Sequence, residues 1–122
     1  MNKAFEIIGL IALFAGAALA QPSAGIPNVV AAGVQPELVQ EGFTFLEGPV
    51  GTADGGVLFS DNRANRTHRL DPSGKITIFR EPTNGTNGLA FTRSGDLLGA
   101  EGGGTRISKR GSDGKVTTLT EG

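Results

Sequence analysis

Apolar and polar positions divide this chain into two unlike parts. Residues 7–19 form an almost unbroken apolar run. From about residue 43 onward, apolar residues come in short stretches of four to six, separated by clusters of Gly, Asp, Ser and Pro. Short stretches bounded by such residues read as β-strands joined by tight turns. The predicted strands cover 47–52, 57–60, 66–70 and 75–80, then 87–92, 97–100, 106–109 and 115–119. In the fourth, Ile76 and Ile78 fall on one face and Lys75, Thr77 and Phe79 on the other. Asp54-Gly55-Gly56, Asp71-Pro72-Ser73-Gly74, Ser94-Gly95-Asp96 and Ser112-Asp113-Gly114 supply the turns, because Gly accepts a positive φ and Pro presets a negative one.

The second set of four strands repeats the first. Residues 47–82 align without a gap on 87–122 with nine identities among 36 pairs: Gly48/Gly88, Thr52/Thr92, Gly55/Gly95, Leu58/Leu98, Arg66/Arg106, Gly74/Gly114, Lys75/Lys115, Thr77/Thr117 and Glu81/Glu121. A period of 40 residues built from four short strands predicts β-propeller blades. The fold class expected is therefore all-β, with two four-stranded blades of an incomplete propeller at about 47–82 and 87–122, within a region spanning 36–122. Closed propellers have about 4–8 blades, so the chain reads as the N-terminal part of a longer protein.

The segments before the blades are of another kind. Lys3, the apolar run and Ala18-Leu19-Ala20 match a secretory signal peptide over residues 1–20, which predicts a secreted or periplasmic protein. The apolar run is shorter than the roughly 18 residues of a spanning helix, so no stable membrane association is expected after cleavage. Residues 21–35, with Pro and Gly among few charges, predict a flexible linker. Leu38, Val39, Phe43 and Phe45 suggest that the stretch before the first blade pairs as a strand with the last blade of a complete ring.

Composition narrows the chemistry. A net charge of -1 gives no basic footprint for nucleic acid. The chain has no Cys, which excludes disulfides, thiolate metal sites and Cys nucleophiles. Its 20 Gly suit a turn-rich β protein.

Strand order places Glu47 and Asn87 where each innermost strand begins, and Asp61 and Glu101 where each second strand ends. All four then fall at one end of the blades, with Glu47 and Asn87 bordering the central channel. Glu47 is a candidate ligand for a hard cation, or else a solvated loop acid. Asn87 offers an amide oxygen to a cation or an NH2 to a substrate oxygen, or else serves as a turn residue. Asp61 and Glu101 can hydrogen-bond a polyol or assist at a metal; both also suit a solvated loop. Arg63 is in reach of an anionic substrate but reads equally as a surface residue. His68, the single His, reads as a packed or surface strand residue rather than a ligand, since no second His or partner acid accompanies it.

Taken together, Gly42-Phe43-Thr44-Phe45-Leu46-Glu47-Gly48-Pro49-Val50, Leu58-Phe59-Ser60-Asp61, Asn65-Arg66, Arg69-Leu70-Asp71-Pro72, Phe79-Arg80-Glu81-Pro82 and Asn87-Gly88-Leu89-Ala90 resemble the gluconolactonase / regucalcin / luciferin-regenerating enzyme family. The resemblance implies a six-bladed propeller holding a divalent cation, commonly Ca2+, with Zn2+, Mn2+ or Mg2+ as alternatives, and hydrolysis of small lactones or sugar-acid esters. It implies Glu47 as a metal ligand and Asn87 and Glu101 as substrate-binding residues. Further ligands come from later blades in that family, so the resemblance implies that this stretch is inactive alone. Gly51 and the run Gly102-Gly103-Gly104 depart from the family pattern. A non-catalytic propeller that binds a ligand or protein is the alternative.

Overall fold

In the computed structural model, residues 24–122 are described; the predicted leader, 1–20, lies outside them. Two units are distinct, one ending at Glu37 and the other beginning at Leu38. In the described part of the first, Ile26 and Val30 form one antiparallel bridge, the N–H of each donating to the carbonyl of the other.

The second unit holds eight strands: β1 Leu46–Gly51, β2 Val57–Asp61, β3 Arg66–Leu70, β4 Ile76–Arg80, β5 Thr86–Phe91, β6 Leu97–Glu101, β7 Arg106–Arg110 and β8 Val116–Glu121. They form two antiparallel sheets in chain order, β1-β2-β3-β4 and β5-β6-β7-β8. Each lies within two residues of its predicted position. A short 3-10 turn at Gly102–Gly104 was not expected from the pattern. Nor does residue stretch 38–45 form a strand. It runs beside the first sheet, where the Asp61 carboxylate accepts the Thr44 and Phe45 N–H groups at 2.9 Å each.

The sequence repeat is a repeat of hydrogen bonds. Thr52 donates to Gly56 and Gly55 to Thr52; forty residues on, Thr92 donates to Asp96 and Gly95 to Thr92. The later turns match likewise, Asp71–Lys75 with Gly74–Asp71 recurring as Gly111–Lys115 with Gly114–Gly111. Even the irregularities recur. A bulge between Thr67 and His68 leaves Phe79 unpaired on β4, and one between Ile107 and Ser108 leaves Leu119 unpaired on β8. A bulge adds local twist, so two copies at one offset give the sheets a common shape.

Alternation along each strand decides what meets what. On β2 and β3, Leu58, Ser60 and Thr67 share one face and are at most 2% exposed. This face meets the second sheet, whose β5 packs on β1 and β2. Burying Leu58 contributes roughly 2 kcal/mol. The facing side of the second sheet carries Gly99, where a β-carbon would stand 3.3 Å from the Thr86 methyl carbon. On its other face the first sheet carries Phe59 and His68, stacked at 5.5 Å, with Phe43 of the preceding segment edge-on to both.

Candidate functional site at the β1 and β5 entry

Pairing of Leu46 with Asp61 and of Thr86 with Glu101 brings Glu47, Asn87, Asp61 and Glu101 to one end of the sheets. Glu47 and Asn87 start adjoining strands. They adjoin because Gly48 has no side chain: a β-carbon there would lie 2.4 Å from the Asn87 carbonyl oxygen. Gly48 has φ +48, and β1 bulges between Glu47 and Val50, as β5 does between Thr86 and Leu89. Glu47 is half-buried and Asn87 exposed. Glu47 also borders a mostly apolar cleft of about 360 Å³ formed with Phe43, Leu46, Pro49 and Phe59. Across the strand pair from Glu47 stands Ser60, whose Oγ is buried with no protein hydrogen-bond partner.

The two second-strand acids are occupied differently. Burial pushes the Asp61 carboxyl up. The backbone N–H groups of Thr44, Phe45 and Ala64, with a smaller contribution from His68, outweigh it and hold the group below the usual range. Glu101 is 1% exposed. Its Oε1 accepts both terminal nitrogens of Arg80 at 3.3 Å, and its Oε2 accepts Arg106 Nε at 2.8 Å and Asn84 Nδ2 at 3.1 Å. Burial raises this carboxyl as well, but Ser108, Arg106, Asn84 and Arg80 bring it down to about 2. Arg80 belongs to the first sheet and Glu101 to the second, so this cluster joins the blades. Both oxygens of Glu101, expected from the family resemblance to bind substrate, are engaged by protein donors in this structure.

Arg63 lies over the Phe45 ring at 5.1 Å. His68 sits in the aromatic stack, where burial holds its imidazole below the ordinary value. Sequence reasoning gave no role to Asn62, and took Asn65 only as part of the family-like stretch Asn65-Arg66. Asn65 Oδ1 accepts three donors, Thr83 N–H, Thr83 Oγ1 and Gly85 N–H, at 2.9–3.1 Å. Asn62 Nδ2 donates to the Gly85 and Thr86 carbonyls. Two Asn in one five-residue loop were the available signal, since Asn tolerates the positive φ that Asn65 adopts at +59. Among the described residues, no three His, Cys, Asp or Glu gather as a metal-binding group.

Two antiparallel four-stranded sheets repeating in sequence, packed through their first strands, are blades of a propeller-type fold. Solved structures agree. The crystal structure of a protein assigned as a gluconolactonase matches at 30% identity and TM-score 0.62, over 67% of this chain and 29% of that one. A gluconolactonase from Xanthomonas campestris matches at 25% identity and TM-score 0.63, over 67% of this chain and 28% of that one. A streptogramin B lyase matches at 31% identity and TM-score 0.51, over 60% of this chain and 25% of that one. No family model and no curated protein matches the chain. The resemblance to gluconolactonases read from the motifs is thus found again in fold and sequence. The chain spans under a third of the length of the solved structures it matches.

Proposed function

We propose that these two blades supply the entry-strand wall of a hydrolase acting on small lactones or sugar-acid esters. The similarity to two gluconolactonases over 67% of this chain carries this reading. The donor set fits a hard divalent cation: a half-buried carboxylate, an exposed amide oxygen and no soft ligand. Glu47 would hold the cation, Ca2+ before Zn2+, Mn2+ or Mg2+, with Asn87 beside it facing substrate. When bound, such a cation polarises a lactone carbonyl. Glu101 keeps Arg80 and Asn84 in place at the same end. Two oxygen donors fall short of the six to eight that Ca2+ takes, so a single copy of the two blades is inactive by itself. The leader pattern places the protein outside the cytoplasm in this reading.

Titration calorimetry with Ca2+ tests it. Weak binding by the chain, at millimolar concentration and lost in Glu47→Gln, is the expected result, with no lactone turnover by the monomeric chain. Absence of any Glu47-dependent binding would remove the cation from the proposal. It would favour the second reading, a non-catalytic binding propeller.

A further inference from the structure

The crossover into β5 carries the dipeptide Asn-Gly twice, as Asn84-Gly85 and Asn87-Gly88. In such a pair the main-chain nitrogen of Gly can attack the Asn side-chain carbon Cγ. The C–N bond of the amide breaks, ammonia leaves and a succinimide ring forms. Water then opens the ring to aspartate or isoaspartate, so that amide and water become carboxylate and ammonium. Gly favours the attack because it has no β-carbon to obstruct it. Both Asn are exposed, so exposure does not separate them. Hydrogen bonding does. At Asn84 the leaving nitrogen, Nδ2, donates to Glu101 Oε2 at 3.1 Å, and the attacking nitrogen, that of Gly85, donates to Asn65 Oδ1 at 2.9 Å. The Asn84 and Gly85 carbonyls accept the Gly103 and Gly102 N–H groups, which fixes the main chain on either side. Among the described residues no group hydrogen-bonds the Asn87 side chain. β5 also bulges here. Between the pairs Thr86–Glu101 and Leu89–Gly99, Asn87 and Gly88 together face Ala100 alone. A bulge interrupts the ladder and frees the main chain to turn.

We propose that Asn87 is a site of spontaneous deamidation and Asn84 is not, so that the ageing protein gains one carboxylate beside Glu47. Either product carries that charge. The contrast between the two Asn comes from hydrogen bonds and pairing within the two sheets. It does not rest on the lactonase reading, since water is the only co-reactant. Where Glu47 holds a hard cation, conversion replaces a neighbouring amide dipole with a charged oxygen donor.

Incubation of the full chain in mildly alkaline buffer, followed by tryptic mass spectrometry, tests this. Both Asn fall in one peptide, residues 81–93, and fragment ions tell them apart. The mass gain of exchanging NH2 for OH is expected at Asn87. At Asn84 it is expected to be at least about tenfold slower, the factor that one hydrogen bond to a charged group puts on a rate. In urea, with the fold lost, the two are expected to react equally. Gly88→Ala is expected to stop the reaction at residue 87. A β-carbon there meets only the Ala100 β-carbon, at 3.9 Å, so the fold accommodates it while it obstructs the attack. Should that variant fail to fold, the comparison of folded and urea-treated wild type still decides. Equal rates at the two Asn in the folded chain overturn the proposal, because the dipeptide alone would then set reactivity. So does an Asn87 that reacts only in urea, which would mean that Gly48, packed on its main chain, holds it still.

Discussion

Gly48 and Asn87 touch through their backbones: a β-carbon on Gly48 would stand 2.4 Å from the Asn87 carbonyl oxygen and 2.7 Å from the Gly88 α-carbon. The neighbours are main chain and cannot swing aside. The φ of +48 is also one that L side chains rarely adopt. Gly48→Ala is therefore expected to destabilise the fold by about 2–4 kcal/mol, from backbone strain of about 1 and overpacking of about 1–3. Urea denaturation measures it. A loss under about 1 kcal/mol would mean that β1 and β5 do not approach so closely.

Asn65 joins the first sheet to the crossover. Three donors converge on its Oδ1, and one of their residues, Thr83, is fully buried. Asn65→Gly keeps the positive φ and removes the acceptor; Asn65→Ala removes both. Leaving buried donors unpaired costs about 1–3 kcal/mol. The glycine variant is expected to lose about that much and the alanine variant about 1 kcal/mol more. Equal stability of the two variants would contradict the assigned backbone strain.

The strands were legible because each is short, bounded by Gly turns and present twice; the 40-residue offset finds the same turns, and even the Phe79 and Leu119 bulges, in both copies. Which end Glu47, Asn87, Asp61 and Glu101 share also followed from strand order. What their oxygens do did not. Asp61 and Glu101 occupy equivalent positions and look alike in sequence. Yet one caps the N–H groups of Thr44 and Phe45, and the other is enclosed by Arg80, Arg106 and Asn84. That difference comes from what precedes each sheet, a segment without pairing in one case and a whole blade in the other. The stretch before β1 forms no strand within these two sheets: Phe43 packs edge-on to the Phe59 and His68 rings, while Leu38, Val39 and Phe45 stay exposed, and the pairing expected of it was with the last blade of a ring.

Glu47 and Asn87 are expected to contribute unequally to cation binding. A half-buried carboxylate supplies charge, whereas an exposed amide supplies a dipole. Glu47→Gln should abolish measurable Ca2+ binding, and Asn87→Ala should weaken it only severalfold. Calorimetry on the two variants reads the ratio. Equal losses would make the two residues equivalent ligands.

His68 makes the fold sensitive to mild acid. Burial lowers its imidazole pKa; Asp61 and Glu81 push it up and Arg66 down, and the balance stays below 6.5. The folded state thus favours the neutral ring. This contribution is complete above about pH 6.5 and is lost as pH falls below that through the folded value. His68→Phe preserves the stack on Phe59 and removes the proton uptake. Its stability relative to wild type is expected to rise as pH drops from 7 to 5. An imidazole that titrates above 6.5 by NMR would reverse the sign.

Glu101 sets the response to stronger acid. Its carboxyl falls from 4.5 to about 2 on folding, so the fold favours the charged form. The associated stability is fully present above about pH 4.5 and drains away as pH falls toward 2. A change of that size corresponds to about 3 kcal/mol. Glu101→Gln leaves Arg80 and Arg106 without their counter-charge and is expected to lose about this amount at pH 7. Asp61 is also held low and discharges in the same acid range, so wild type alone does not isolate Glu101. The difference between wild type and Glu101→Gln does, because Asp61 contributes equally to both. That difference should stay constant from pH 7 to about 5, shrink below 4.5 and approach zero near pH 2. A gap that persists unchanged to pH 2 would mean that the cluster works through packing and neutral hydrogen bonds, with the carboxylate charge making no contribution to holding the two blades together.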